Sequence, residues 1–205
     1  MKVYLSKRAP NPRRVAWVLA EKGASDVEII DIDLLKGAHR EEAFLAKVGI
    51  PNVPALEMDN GTVITESVAI CRYLESVYPE PNLFGRSPEE VAVIEMWTRR
   101  AEMMLATPLM LLVRHTHPAL AVLEQQSPEM AERNRMAAER SLRVFDRQLA
   151  QHPFMAGERI TMADIAAFIG FDFARMARFA IPETAPHLQR WAEAMRARPA
   201  AGAGV

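Results

Sequence analysis

The residues best placed to do chemistry lie between Asn52 and Ile70. In Asn52-Val53-Pro54-Ala55-Leu56 the proline stands at the entrance of a strand. It cannot donate to a ladder there, so it belongs at a strand start, an edge or a turn, with a cis bond among the options. Such a proline leaves the amide and carbonyl of Val53 unclaimed. Farther on, Glu66-Ser67 opens a helical pattern with Ile70, Leu74 and Val77 as its inward stripe. Ser67 offers a hydroxyl beside the unpaired N–H groups of a helix start, whose partial positive charge favours a carboxylate. Between the two, Asp59-Asn60-Gly61 supplies the turn of a hairpin and Val63-Ile64 its returning strand, which brings both features close together. One face could then grip a small extended peptide, with backbone pairing at Val53, a carboxylate at Ser67 and an ammonium within reach of Glu66. Taken singly, Pro54 reads better as a strand-edge proline and Ser67 as a plain helix cap.

The elements around this stretch follow from hydrophobic period and punctuation. Val3 to Leu5 makes an opening strand, a Lys7-Arg8-Ala9-Pro10-Asn11-Pro12 loop follows, and an apolar-periodic helix runs through Val15, Val18 and Leu19 to Gly23. Pro12 suits a first helical turn and Gly23 a stop. Residues 27–32 form a second strand dense enough in Val and Ile for a buried parallel position. A loop at Gly37-Ala38-His39 and a short helix from Glu41 to Lys47 lead to the hairpin. The order β-α-β-α-β-β-α describes a four-stranded sheet with helices that closes near Tyr78. Prolines 79, 81 and 88 mark a linker. Beyond it the pattern is wholly helical. Ser87-Pro88-Glu89-Glu90 caps a long helix with Ile94, Trp97 and Ala101 inward and Pro108 as a kink. Another runs from about residue 128 to 150, with Leu142, Phe145 and Leu149 inward. Thr161-Met162-Ala163-Asp164 is a capping box stapled by Ile160 and Ile165, and it starts a buried helix through Phe168 and Phe171. A last helix spans about 185–196, and the Ala/Gly tail reads as loose.

Composition narrows the function. The 205 residues suffice for one large or two small domains. A formal net charge of −1 leaves no basic excess for nucleic acid or an anionic membrane surface, so small-molecule or protein partners are expected. One cysteine forbids an internal disulfide, the N-terminus lacks a signal-peptide core, and the run from Met103 to Val113 is far short of the ~20 apolar residues of a membrane span. A cytoplasmic location is the expectation.

Together, the Val-Pro strand entrance, the Thr65-Glu66-Ser67-Val68-Ala69-Ile70 helix start, the proline-bearing linker and Gly157-Glu158-Arg159-Ile160-Thr161-Met162-Ala163-Asp164 resemble the cytosolic glutathione S-transferases over nearly the whole chain. The resemblance implies an α/β plus all-α fold: a thioredoxin-like glutathione-binding domain at residues 1–80 and an all-helical domain with a second-substrate pocket at 81–205. It implies a cis Val53-Pro54 bond, a homodimer, glutathione as co-substrate with no metal, and a small hydrophobic electrophile as the other substrate. Carried over by position, Val53, with Pro54, would meet the cysteinyl backbone of glutathione, and Glu66 with Ser67 its γ-glutamyl group. His39 and Asn52 would lie near the glycyl carboxylate, helped by Lys36 and Arg40. An exposed loop histidine would explain His39 as well.

This sequence departs from the family at the thiol. Ala9 stands where many members carry a Ser or Cys before the Pro10 equivalent. Asn11, Ser6 and Tyr4 are the nearby substitutes, whereas Cys71 reads as a buried small hydrophobe. Residues 9–15, with Ala20-Glu21-Lys22-Gly23 after them, look closest to a fungal and bacterial branch lacking that side chain. There a water held by the helical domain is a plausible thiol activator. Arg114-His115-Thr116-His117-Pro118 supplies the candidates, His115 before His117, since imidazole can accept a proton through water. Histidines that merely complement a helix C-terminus fit the same residues. Met103, Met104 and Met110 are expected to overlook the second-substrate pocket. The leading function is glutathione transfer to apolar electrophiles. A glutathione-fold binding protein without turnover and a glutathione-dependent disulfide or peroxide reductase are the alternatives.

Overall fold

A computed structural model describes residues 1–205. They form two compact units, residues 1–81 with 199–205, and residues 82–198.

The first unit is built on a four-stranded sheet in the order β2-β1-β3-β4. Strand β1 (Lys2–Leu5) pairs parallel with β2 (Glu28–Asp31) and antiparallel with β3 (Ala55–Glu57), which pairs antiparallel with β4 (Val63–Thr65). Side chains alternate across the sheet. Val3, Leu5 and Leu56 enter a core with Val15, Trp17 and Val18 of α1 (Pro10–Glu21) and Ile70 and Leu74 of α3 (Ser67–Val77). On the opposite face Tyr4 and Ala55 pack with Phe44 and Val48 of α2 (Glu42–Val48). Two expectations change here. The Val27–Ile32 run is parallel but lies at the sheet edge, and Ile29 is 59% exposed, because only Ile30 and Ile32 face the α2 cluster. Val77, expected on the inward stripe of α3, is also exposed, as the last helical turn runs past the sheet.

The tail is not loose. Residues Pro199–Gly202 form a 3₁₀ turn, and the Arg8 amide donates to the Gly204 carbonyl at 2.8 Å, binding the chain end to the loop before α1.

The second unit is all helix: α4 (Pro88–Arg100), α5 (Thr107–Thr116), α6 (Pro128–Leu149), α7 (Met162–Ala174) and α8 (Pro186–Arg196). Pro108 cannot donate to the ladder, and a π-helical stretch at Ala101–Ala106 separates α4 from α5 just before it. Helix α7 is buried on nearly every side. Gly170 lets it approach the π turn, since a Cβ there would sit 2.8 Å from Ala106 Cα.

The α7 N-terminus shows how this unit closes its polar groups. Asp164 Oδ2 accepts from the Thr161 amide at 2.9 Å and the Thr161 hydroxyl at 3.1 Å. Its Oδ1 accepts from the Met155 amide at 2.8 Å and the Trp191 indole at 2.9 Å. The capping box read from the sequence is present, and the fold adds two distant donors to it. No helix of the chain is long and apolar enough to cross a membrane.

Candidate functional site

The pairing register gathers the polar candidates at one end of the first sheet. Ala55 lies opposite both Tyr4 and Thr65. Val53 and Pro54, just before β3, therefore share an end with Glu66 and Ser67, just after β4, and with Ser6, just after β1. Leu5 pairs with Asp31 in parallel, so the segment leading to His39 leaves β2 at that same end.

Val53 precedes a cis bond to Pro54, and neither its N–H nor its carbonyl takes part in the ladder or in a loop hydrogen bond. An extended partner could pair with that backbone. Glu66 sits exposed at the α3 N-terminus with φ +68°, a left-handed conformation costly for a residue with a Cβ. No side chain caps this helix start. Ser67 is its first residue, 5% exposed, and its Oγ accepts from Arg14 Nη1 at 3.2 Å. The site thus has a buried hydroxyl, an open helix end and an exposed carboxylate side by side.

Asn11 and His39 add buried polar atoms with no partner in the protein, Asn11 Oδ1 and His39 Nδ1. A buried polar atom without a partner costs about 1–3 kcal/mol, so such atoms point to a polar ligand. His39 lies in a 3₁₀ turn at Ala38–Arg40 and is buried, unlike an ordinary loop histidine. Burial first, and the neighbouring Arg40 charge second, lower its pKa and favour the neutral ring. The segment leading into the turn is held by Asp33, whose Oδ1 accepts from the Leu35 and Lys36 amides at 3.1 Å each. Asn52, Lys36 and Arg40 are exposed, and Ser6 is buried.

At the α1 N-terminus Ala9 provides no side-chain cap. Pro10 and Pro12 carry no amide proton, so among the first three helical positions only Asn11 has a backbone donor.

His115 and His117 belong to the second unit. His115 Nδ1 accepts from the Ser127 amide at 3.3 Å, and His117 Nδ1 accepts from the Ala119 amide at 3.3 Å. A ring nitrogen that accepts carries no proton, so the neutral tautomer of each has its proton on Nε2. The geometry makes each a donor at Nε2. The proton-accepting role read from the sequence requires the other tautomer and loss of these bonds. His115 also lines a cavity of about 390 Å³ with Leu112, Glu132 and Arg135. Met103 and Met104 are exposed. No group of three or more His, Cys, Asp or Glu side chains is placed to hold a metal.

Sequence reading passed over Arg14 at the site. The available signal was an arginine four residues before Val18, on a stripe otherwise buried.

A small mixed sheet with polar groups gathered at one end, followed in one chain by a helical unit, defines a thioredoxin-like domain joined to an all-helical one. The sequence matches the glutathione S-transferase N-terminal domain over residues 4–82 and the C-terminal domain over residues 101–199. It is 37% identical to glutathione S-transferase 2 of Saccharomyces cerevisiae, across 97% of this chain and 87% of that one. Identity to glutathione S-transferase 3 of Zea mays is 35%, across 98% and 90%. The solved structure of Gtt2 from Saccharomyces cerevisiae superposes with a TM-score of 0.90 at 37% identity, covering 98% of both chains. A glutathione S-transferase domain-containing protein of Marinobacter aquaeolei gives 0.92 at 38%, covering 98% of this chain and 99% of that one. The chain belongs to the glutathione S-transferase family and is a glutathione transferase, with glutathione as substrate.

Proposed function

We propose that this transferase ionises glutathione without a side-chain hydroxyl or thiol before Pro10, as in a branch of the family lacking that group. The observation that carries the reading is the α1 N-terminus, where two prolines leave Asn11 as the sole backbone donor of the first three positions and Ala9 adds nothing. A helix N-terminus lowers the pKa of a thiol placed there, and Asn11 supplies a backbone and a side-chain donor. Val53 and Pro54 take the cysteinyl backbone, Glu66 and Ser67 the γ-glutamyl group, and His39 with Asn52 the glycyl carboxylate. The acceptor is a small apolar electrophile. Exposed Met103, Met104, Met96 and Val93 suit apolar partners, including a second copy of the chain. The lone cysteine accords with a reducing cytoplasm.

Thiolate absorbance of bound glutathione, followed against pH, tests this. In the wild type it should rise near pH 7, well below the pKa of about 8.5 of an ordinary thiol. Asn11→Ala should move the rise upward. A wild-type titration at the ordinary thiol value would overturn the proposal in favour of binding without activation.

A further inference from the structure

Arg13 and Arg14 are neighbours on α1, and both are buried. They serve different ends. Arg13 Nη2 donates to the Ala201 carbonyl of the C-terminal turn at 3.3 Å, whereas Arg14 Nη1 donates to Ser67 Oγ at 3.2 Å from 53 residues away. Arg14 is only 2% exposed, on the same helix as the buried Val15 and Val18.

A guanidinium has five donors, no acceptor, and keeps its charge in proteins. In the Arg14–Ser67 pair the serine oxygen must therefore be the acceptor. The hydroxyl proton is then left for a different acceptor. Ser67 opens α3, an 11-residue helix with no side-chain cap. The hydroxyl proton, the first-turn amides and the guanidinium charge behind them all favour negative charge at one place.

We propose that Arg14 is a positioning residue for the γ-glutamyl carboxylate of glutathione: it fixes the Ser67 hydroxyl as a donor to that carboxylate and adds a buried positive charge behind it. This rests on the reading that Ser67 holds that carboxylate. A shorter ammonium cannot reproduce the planar fork, so lysine is not an equivalent replacement.

Calorimetry with two peptides separates the possibilities. One is glutathione, and the other is 4-aminobutyryl-cysteinyl-glycine, which lacks only the γ-glutamyl α-carboxylate. The wild type should bind glutathione on the order of 10- to 100-fold more tightly, the range for a hydrogen-bonded charged group. Arg14→Met should lose most of that preference, Arg14→Lys part of it, and Arg14→Met with Ser67→Ala no more than the weaker single variant. The preference is a ratio within one protein, so a general loss of stability does not mimic it. Arg14→Gln, which keeps a donor without charge, replaces Arg14→Met if the latter does not fold, with the same loss expected. If Ser67→Ala abolishes the preference while every folded Arg14 variant keeps the wild-type ratio, Arg14 has no such role and the Ser67 reading stands. If the wild type binds both peptides equally, the Ser67 reading fails and the Arg14 proposal with it.

Discussion

Two helix starts in this protein each carry a hydroxyl and a carboxylate and arrange them differently. At α7, Thr161 is followed three residues later by Asp164, and the carboxylate takes two donors from Thr161, its amide and its hydroxyl, and one each from the distant Met155 and Trp191. At α3, Glu66 and Ser67 begin the helix without a side-chain cap, Glu66 is strained at positive φ, and the Ser67 oxygen accepts from Arg14. The difference is the source of the anion. Where the protein supplies its own carboxylate, the helix end contributes stability and is closed to ligands. Where no side chain of its own caps the helix, the end is open to a carboxylate from outside.

The strongest test of this contrast is at the closed end. Asp164→Ala leaves several buried donors without an acceptor, and the expected loss is roughly 3–5 kcal/mol of unfolding free energy. Denaturant unfolding should show it, while the fraction still folded binds glutathione with unchanged affinity. A fully stable Asp164 variant that had lost glutathione would reverse the assignment of the two helix ends.

Thiol activation comes next, and it asks whether the α1 end works like the α3 end. Removing the group that holds the sulfur should lower turnover roughly 10²-fold, with glutathione affinity measured in parallel to separate packing effects. If Asn11 and the helix end carry the role alone, the loss falls on Asn11→Ala and both histidine variants stay active. If a water held by the helical unit shares it, His115→Ala also slows turnover and raises the pKa of bound glutathione. Ser6→Ala should do little in either case. Full activity in His115→Ala, His117→Ala and their double variant removes the histidines.

At the open end the expected change is in affinity. Ser67→Ala should weaken glutathione binding by about 1–3 kcal/mol, the worth of a hydrogen bond to a charged group. Its unfolding free energy should change by less, because the Ser67 side chain does not cap the helix. Unchanged binding by calorimetry would take Ser67 out of the site.

The smallest effect is a pH dependence at His39. Burial holds its folded pKa below the ordinary 6.5, so between the two values the unfolded chain binds more protons and stability rises with pH. The contribution is complete above about pH 6.5 and is lost as pH falls through the lower folded value. Urea unfolding at pH 7.5 and pH 5 should show a drop in the wild type that His39→Gln lacks. Equal drops in both proteins would mean that His39 is not buried neutral.

Local sequence was sufficient wherever the interacting groups are near in the chain. The Asp59-Asn60-Gly61 turn, the Ser87 cap, the Thr161–Asp164 box and the stripe of Leu142, Phe145 and Leu149 are relations within one or two turns of backbone, and each is present in the structure. The cis Val53-Pro54 bond and the helix start at Ser67 were legible because proline geometry and helix-start signals act through the residue's own backbone. Only the tertiary structure decided relations across many residues. A Val/Ile-rich run looks the same in a central and an edge strand, so the exposure of Ile29 depended on which strand pairs with β1. The tail's bond to Arg8 joins positions 8 and 204, and no local pattern encodes it. The Nε2–H tautomers of His115 and His117 follow from which amides the rings meet after folding. The guanidinium behind Ser67 comes from a helix 53 residues earlier, so the sequence determined that α3 would start at an anion-ready serine, and the packing of α1 against α3 determined which cation stands behind it.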